Sequence, residues 1–295
     1  NEARIAFEKA VKLDPDFAWE CNGLAVSNYN LQIVEAGAAA IKRAKTLSLK
    51  ATEKERLYIE EYYADLVEKD PEKSYRILLQ MAEKYPKEKG RFFNLGIYYY
   101  QRGAYVEAII EINKALELDP NYGLAHNELG YVYCDTGDFS KAVEHLQKYV
   151  SLSPGEANPL DSLAEAYFDM GRLDEAIASY KDTLKIKSDL FSPYFCVGYI
   201  YALKAEYAEA MSWMDKFIAT APSPEKKRTA YLWKGFCRFL SGSLKDCDFY
   251  FREAEEYAEQ GYVWGRPYVN LLKAFIYYDL GEPDQSRRSN EAWLD

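Results

Sequence analysis

The chain has 295 residues, with 47 acidic against 37 basic side chains, a formal net charge of −10, 48% hydrophobic and 28% charged residues. An acidic balance disfavours nonspecific nucleic-acid binding, which needs a basic footprint, and disfavours an anionic membrane surface. The apolar content is that of an ordered protein, and no apolar run is long enough to span a bilayer.

Taken in chain order, the elements repeat. Residues 1–17 read as one helix with Ala3, Phe7, Ala10 and Pro15. Residues 18–51 carry Cys21, Leu24, Ala25, Gly37, Ile41 and Ala44, and a slip of three follows near Thr52 to Lys54. Residues 55–88 resume with Tyr58, Tyr62, Ser74, Leu78, Met81 and Pro86. The clearest unit, 89–122, has Phe92, Leu95, Gly96 and Tyr99, then Gly103, Tyr105, Ala108, Ile112, Ala115 and Pro120. Unit 123–156 answers with His126, Leu129, Gly130, Tyr133, Gly137, Phe139, Ala142, Leu146 and Pro154. Unit 157–190 has Leu163, Ala164, Tyr167, Gly171, Ala176 and Tyr180, and unit 191–224 has Tyr194, Val197, Gly198, Tyr201, Ala210, Met214 and Pro222. A second slip of three falls near Glu225 to Lys227 before 228–261, with Tyr231, Gly235, Gly242, Cys247, Phe251 and Ala254. A slip of six precedes a partial unit, 267–295.

Pro86, Pro120 and Pro154 therefore stand 34 residues apart, as do Ala108, Ala142, Ala176 and Ala210. A fixed period of this size means a stacked array, in which each unit buries its apolar face only against its neighbours. The residue types have physical reasons. Leu95 and Tyr99 share a helix face. Gly96 and Ala108 are small enough for two helices to approach closely. Gly103, Gly137 and Gly171 sit just past the first helix, where a left-handed cap favours glycine. Pro120 and Pro154 stop the second helix.

Phe92-x-x-Leu95-Gly96-x-x-Tyr99, followed by Ala108 and Pro120 and recurring in phase, resembles the tetratricopeptide repeat. The resemblance implies an all-α, right-handed superhelical solenoid of antiparallel helix pairs, here as one array over 1–295. It also implies that positions 2, 5, 9, 12 and 13 of each first helix line an inner wall that binds protein or peptide. Glu53 to Glu60 looks like the repeat arms of bacterial signalling proteins such as kinases, cyclases and transcription regulators. The array begins in mid-repeat and has no obvious polar capping helix, which reads as a piece of a larger polypeptide.

Carried onto this chain, the inner-wall positions include Arg56, Ile59, Tyr63 and Leu66, then Phe93, Ile97, Tyr100 and Gln101, then Leu124. The wall's centre is polar and acidic, with Asn127, Tyr131, Asp135, Asp161, Glu165 and Asp169; the last three are spaced i, i+4, i+8. Its C-terminal side is aromatic, with Phe195, Tyr199, Phe236, Phe239, Phe275 and Tyr278. These residues suit a basic or amide-rich partner with apolar anchors. The alternatives are a solvated acidic face, and aromatics that pack on one another or are covered by another part of the chain. Position 5 is Asn22, Ile59, Phe93, Asn127, Asp161, Phe195 and Leu232 in successive units and never Lys, so the carboxylate clamp of chaperone-binding repeats is not expected.

Catalysis, cofactors and metals have little support. There is no phosphate loop and no nucleophile elbow. His126 takes a packing position filled elsewhere by Phe92 or Tyr194. One acidic stripe gives no opposed pair of carboxylates for acid–base work. Five scattered cysteines without a C-x-x-C pair favour reduced thiols and a cytoplasmic setting. Self-association and service as an arm of a multidomain enzyme remain open beside the scaffold reading.

Overall fold

The computed structural model describes residues 2–31, 33–257, 274, 277–278 and 281–294. The expected partial unit at 267–295, the slip before it and Phe275 lie largely or wholly outside the described residues. Sixteen helices are present among the described residues, and no strand. The contacts divide the chain into two compact units, Asn1–Val132 and Tyr133–Asp295.

The first unit holds α1 (Glu2–Leu13), α2 (Ala18–Asn30), α3 (Val34–Leu47), α4 (Glu53–Tyr63), α5 (Pro71–Lys84), α6 (Lys89–Tyr100), α7 (Tyr105–Leu118) and the residues of α8 (Gly123–Asp135) up to Val132. A 3₁₀ turn, 48–50, follows α3, and a π-turn, 64–68, ends α4. The second unit holds α9 (Phe139–Leu152), α10 (Ala157–Asp169), α11 (Leu173–Ile186), α12 (Ser192–Leu203), α13 (Tyr207–Thr220), α14 (Pro224–Leu240), α15 (Leu244–Glu256) and α16 (Pro283–Leu294). From α1 to α7 and from α9 to α15 each helix packs on the next, which makes an all-α repeat solenoid.

The period is visible in the helices themselves. The second helices α5, α7, α9, α11 and α13 are each 14 residues long and begin at 71, 105, 139, 173 and 207. The three-residue slips lie at the fronts of α4 and α14. Thr52 caps α4 in a reciprocal box with Glu55, and Ser223 caps α14 ahead of Pro224.

Close approach of the two helices in a hairpin depends on small side chains. Ala108, Ala142, Ala176 and Ala210 are wholly buried, and so are Ile112, Leu146 and Met214 one turn further on. A Cβ at Gly96 would meet Ile112 Cγ1 at 2.3 Å and the Ala108 carbonyl oxygen at 3.3 Å. At Gly198 it would meet Met214 Cε at 3.0 Å and the Ala210 carbonyl oxygen at 3.3 Å.

The turn between the two helices is also periodic. Lys69 (φ 55°), Gly103 (70°), Gly137 (78°), Gly171 (71°) and Ala205 (60°) take left-handed backbone at 34-residue intervals, and Gly242 (78°) follows after the second slip. The next N–H reaches back five residues in a Schellman bond: Ala104 to Tyr99 (3.0 Å), Arg172 to Tyr167 (2.8 Å) and Glu206 to Tyr201 (2.9 Å). Lys69 and Ala205 thus adopt the glycine conformation with a Cβ in place.

Three outcomes follow in urea unfolding. Gly96→Ala destabilises by about 1–3 kcal/mol through overpacking against Ile112, whereas Gly90→Ala, where a Cβ meets nothing within 4 Å, is neutral or gains up to about 1 kcal/mol. Ala205→Gly stabilises by about 1 kcal/mol by relieving left-handed strain.

Candidate functional site

In the second unit, Asp161, Glu165 and Asp169 share one face of α10. Asp161 is half-buried, and its Oδ1 makes no hydrogen bond. Burial, and then the charge of Glu165, push its carboxyl up to about 6. Asp169 is exposed yet also raised, first by desolvation and then by Asp135. The Cys134 thiol is pushed up to about 11 by burial, with Asp169, Asp135 and Glu165 adding to the effect. Four carboxylates thus gather around the end of α8 and the face of α10, and an incoming cation or amide donor would relieve their mutual repulsion.

The aromatic residues of the same unit pack on one another. The Phe195 and Tyr199 rings lie parallel with centroids 6.1 Å apart. Trp233 stands edge-on to Tyr199 at 4.7 Å and contacts Phe236 at 5.6 Å. Phe236 in turn meets Phe251, which is fully buried, at 6.3 Å. Phe195, Tyr199, Trp233, Phe236 and Phe239 are all half-buried, so the layer is at once part of the core and part of the surface. Phe168 of α10 touches Tyr199 at 5.8 Å and joins this layer to the acidic face. Tyr278 is 73% exposed. Trp233, the residue that ties the layer together, sits next to wall position Leu232, and the position rule passes over it.

Asn127 and Tyr131 belong to the first unit. Both are half-buried on α8, and Asn127 Oδ1 has no hydrogen-bond partner. His126 is buried, with its Nε2 3.1 Å from the Pro120 carbonyl oxygen. His145 stacks on Tyr133 at 5.6 Å.

The first unit has a cleft of about 410 Å³ that the pattern of regular repeats does not single out. Val26 and Asn30 of α2, Phe93 and Ile97 of α6 with its C-cap Gln101, and Leu124 of α8 line it. All six fall on the inner-wall positions, and Ser74 and Leu78 of the second helix α5 complete the lining. The α4 residues depart from the expectation. Ile59, placed on the wall by position, is wholly buried in the core with Cys21, Ala25, Ile41 and Ala44. Glu61, Tyr62 and Asp65 face the cleft instead.

Glu61 is only 6% exposed. Its Oε1 accepts a hydrogen bond from Ser74 Oγ (3.1 Å), and its Oε2 has no partner. Burial pushes the carboxyl up to about 7, against the opposing pull of Arg91 and Ser74, while Asp65 pushes it further up. Arg91, 3% exposed, lies over the Tyr58 ring at 3.5 Å and donates from Nη1 to Met81 Sδ (3.4 Å). Tyr62 is pushed up to about 12, first by burial and then by the Glu61 charge.

Stacked helical hairpins, small residues at the hairpin contact and a left-handed turn every 34 residues define a repeat scaffold. A tetratricopeptide repeat model matches residues 122–189 and a TPR repeat model residues 96–137, which identifies tetratricopeptide repeats over residues 96–189. No curated protein matches the sequence. Among solved structures, MamA is 25% identical, with 58% of this chain and 92% of MamA covered and a TM-score of 0.51. The C-terminal part of a TPR repeat-containing protein from Cytophaga hutchinsonii is 16% identical, covering 80% and 94%, with a TM-score of 0.64. A chain of the APC/C hetero-tetramer Cut9–Hcn1 is 12% identical, covering 100% and 56%, with a TM-score of 0.61. The last two show likeness of fold alone. No helix among the described residues is long and apolar enough to cross a membrane.

The raised Glu61 carboxyl makes stability depend on pH. Between about 4.5, its unfolded value, and 7 the folded chain binds the extra proton, so stability falls as pH rises through this window. Asp161 adds a slope of the same sign at lower pH. Glu61→Gln raises stability at pH 8 by about 2 kcal/mol, leaves it nearly unchanged at pH 4.5 and flattens the dependence between them; urea midpoints across this range check the outcome.

Proposed function

We propose that the chain is a non-catalytic scaffold that binds a segment of a partner protein, and that the second unit takes a basic or amide-rich segment with apolar anchors. One observation carries the reading: the half-buried Asp161 carboxyl, with one oxygen unpartnered, lies on the helix face whose Phe168 leads into the layer of Tyr199, Phe195, Trp233 and Phe236. Carboxylates at i, i+4 and i+8 repel one another in the free protein, and a cationic or amide-bearing segment removes that cost on binding. Half-buried aromatic rings already ordered by their neighbours lose little entropy when a partner covers them. Clusters of this kind are where binding energy concentrates.

The test separates charge from apolar contact. Asp161→Asn with Glu165→Gln removes charge and keeps shape. Tyr199→Ala with Phe236→Ala removes the aromatic surface, and circular dichroism verifies the fold. In a pull-down with the full chain, a partner identified by mass spectrometry is expected to lose at least tenfold in affinity with either pair, and the wild-type interaction weakens with salt. Unchanged capture of every partner by folded variants of both kinds refutes the reading.

A further inference from the structure

We propose that the cleft of the first unit is a separate binding site built to receive one basic side chain, lysine or arginine, of an extended partner polypeptide, with Glu61 as its counter-charge. This does not rest on the acidic and aromatic surface of the second unit.

The first argument is the place of Glu61 in the repeat. The equivalent positions, 34 residues apart, are Leu95, Leu129, Leu163 and Val197, each buried and apolar, and after the second slip Lys234, buried but ion-paired with Asp215. The same unit has Tyr62 where the others have Gly96, Gly130, Ala164 and Gly198. A carboxylate in a leucine slot with one oxygen lacking a partner costs stability, because desolvation is not recovered by a hydrogen bond. A donor brought by a ligand supplies the missing bond.

The second argument is the charge of the lining. Glu61 and Asp65 line the cleft and no lysine or arginine does. The buried cation Arg91 acts on Glu61 through its charge, but its own contacts are the Tyr58 ring and Met81 and it makes no hydrogen bond to Glu61 Oε2. An anionic ligand would meet two carboxylates, and an apolar one would leave Glu61 Oε2 unsatisfied. A guanidinium or ammonium satisfies both, and its bond to a carboxylate is the stronger, charge-assisted kind.

The third argument is shape. A volume of about 410 Å³ exceeds what a lone metal ion would fill, and two carboxylates are too few oxygens for a hard-cation cage. Ile97 offers an apolar wall for a methylene stem, Tyr62 an aromatic ring, and Asn94 and Gln101 amide groups within reach of peptide backbone.

The experiment uses the full chain and three capped peptides, acetyl-Gly-Leu-Xaa-Leu-Gly-amide with Xaa as Arg, Lys or Gln, titrated by calorimetry. The Arg and Lys peptides are expected to bind at least tenfold more tightly than the Gln peptide. Glu61→Gln is expected to bring the three within about threefold, since only the charge-assisted part is lost. Asp65→Lys, at an exposed position, puts a competing ammonium at the rim and is expected to abolish the preference; it carries the test if Glu61→Gln does not fold. Asp161→Asn with Glu165→Gln is expected to leave the preference intact. Equal binding of the three peptides, no binding of any, or a tenfold preference that survives in folded Glu61→Gln or Asp65→Lys protein overturns the proposal. A preference lost in Asp161→Asn with Glu165→Gln but kept in Glu61→Gln also overturns it and assigns the binding to the second unit.

Discussion

The contact between the two helices of each hairpin sets the terms for everything else in this chain. Ala108, Ala142, Ala176 and Ala210 lie wholly buried on the second helices, and the glycines opposite two of them leave no room even for a methyl group. At such separation the backbones fix one another's position. The larger side chains one turn further on, Ile112, Leu146 and Met214, then have a single place to go. Each hairpin still has one apolar face uncovered, and the next hairpin covers it. Stacking leaves the first helices of each unit to form a surface, and each candidate site draws on the first helices of its own unit.

The two sites use it differently. In the second unit the aromatic layer is held by its own ring contacts and by Phe251 beneath, so recognition shares side chains with the core. In the first unit the unusual chemistry is buried. Glu61 and Ser74 are polar groups at core depth inside a repeat that departs from the pattern, and Arg91 reaches the same depth from the next repeat. Departure from the repeat and concentration of polar chemistry coincide there, as expected where a local rule is broken for binding rather than for folding.

The architecture was legible because its determinants are steric and recur. Ala108 and its equivalents, the glycines at 103, 137 and 171, and the terminating prolines each state one geometric requirement several times over. The sites were less legible. The stripe of Asp161, Glu165 and Asp169 follows from helical spacing, and Phe195, Tyr199 and Phe236 from wall positions. Whether those rings stand free or pack depends on Trp233, a neighbour outside the position rule. Position counting misplaces Ile59 because it does not tell how deep a wall position lies, and this side chain packs inward on Cys21, Ala25, Ile41 and Ala44. Glu61 had a signal in the sequence, a charge where four other units have an aliphatic side chain, but its burial could be learned only from the packing of α5 and α6 around it.

The left-handed turns also say how the array comes apart. Three consecutive hairpins close on glycine, at 103, 137 and 171, and the turns on either side of that run close on Lys69 and Ala205. A side chain in this backbone region raises the energy of the closed hairpin by about 1 kcal/mol relative to glycine. That strain is released when the turn opens, so the hairpins closed by Lys69 and Ala205 sample open forms more often than those between them. In amide exchange their turns lose protection before the glycine-closed turns of the same unit. The surfaces next to the two strained turns, the Glu61 cleft before Lys69 and the face of α12 before Ala205, therefore lie where the chain can yield locally to admit a partner without unfolding as a whole.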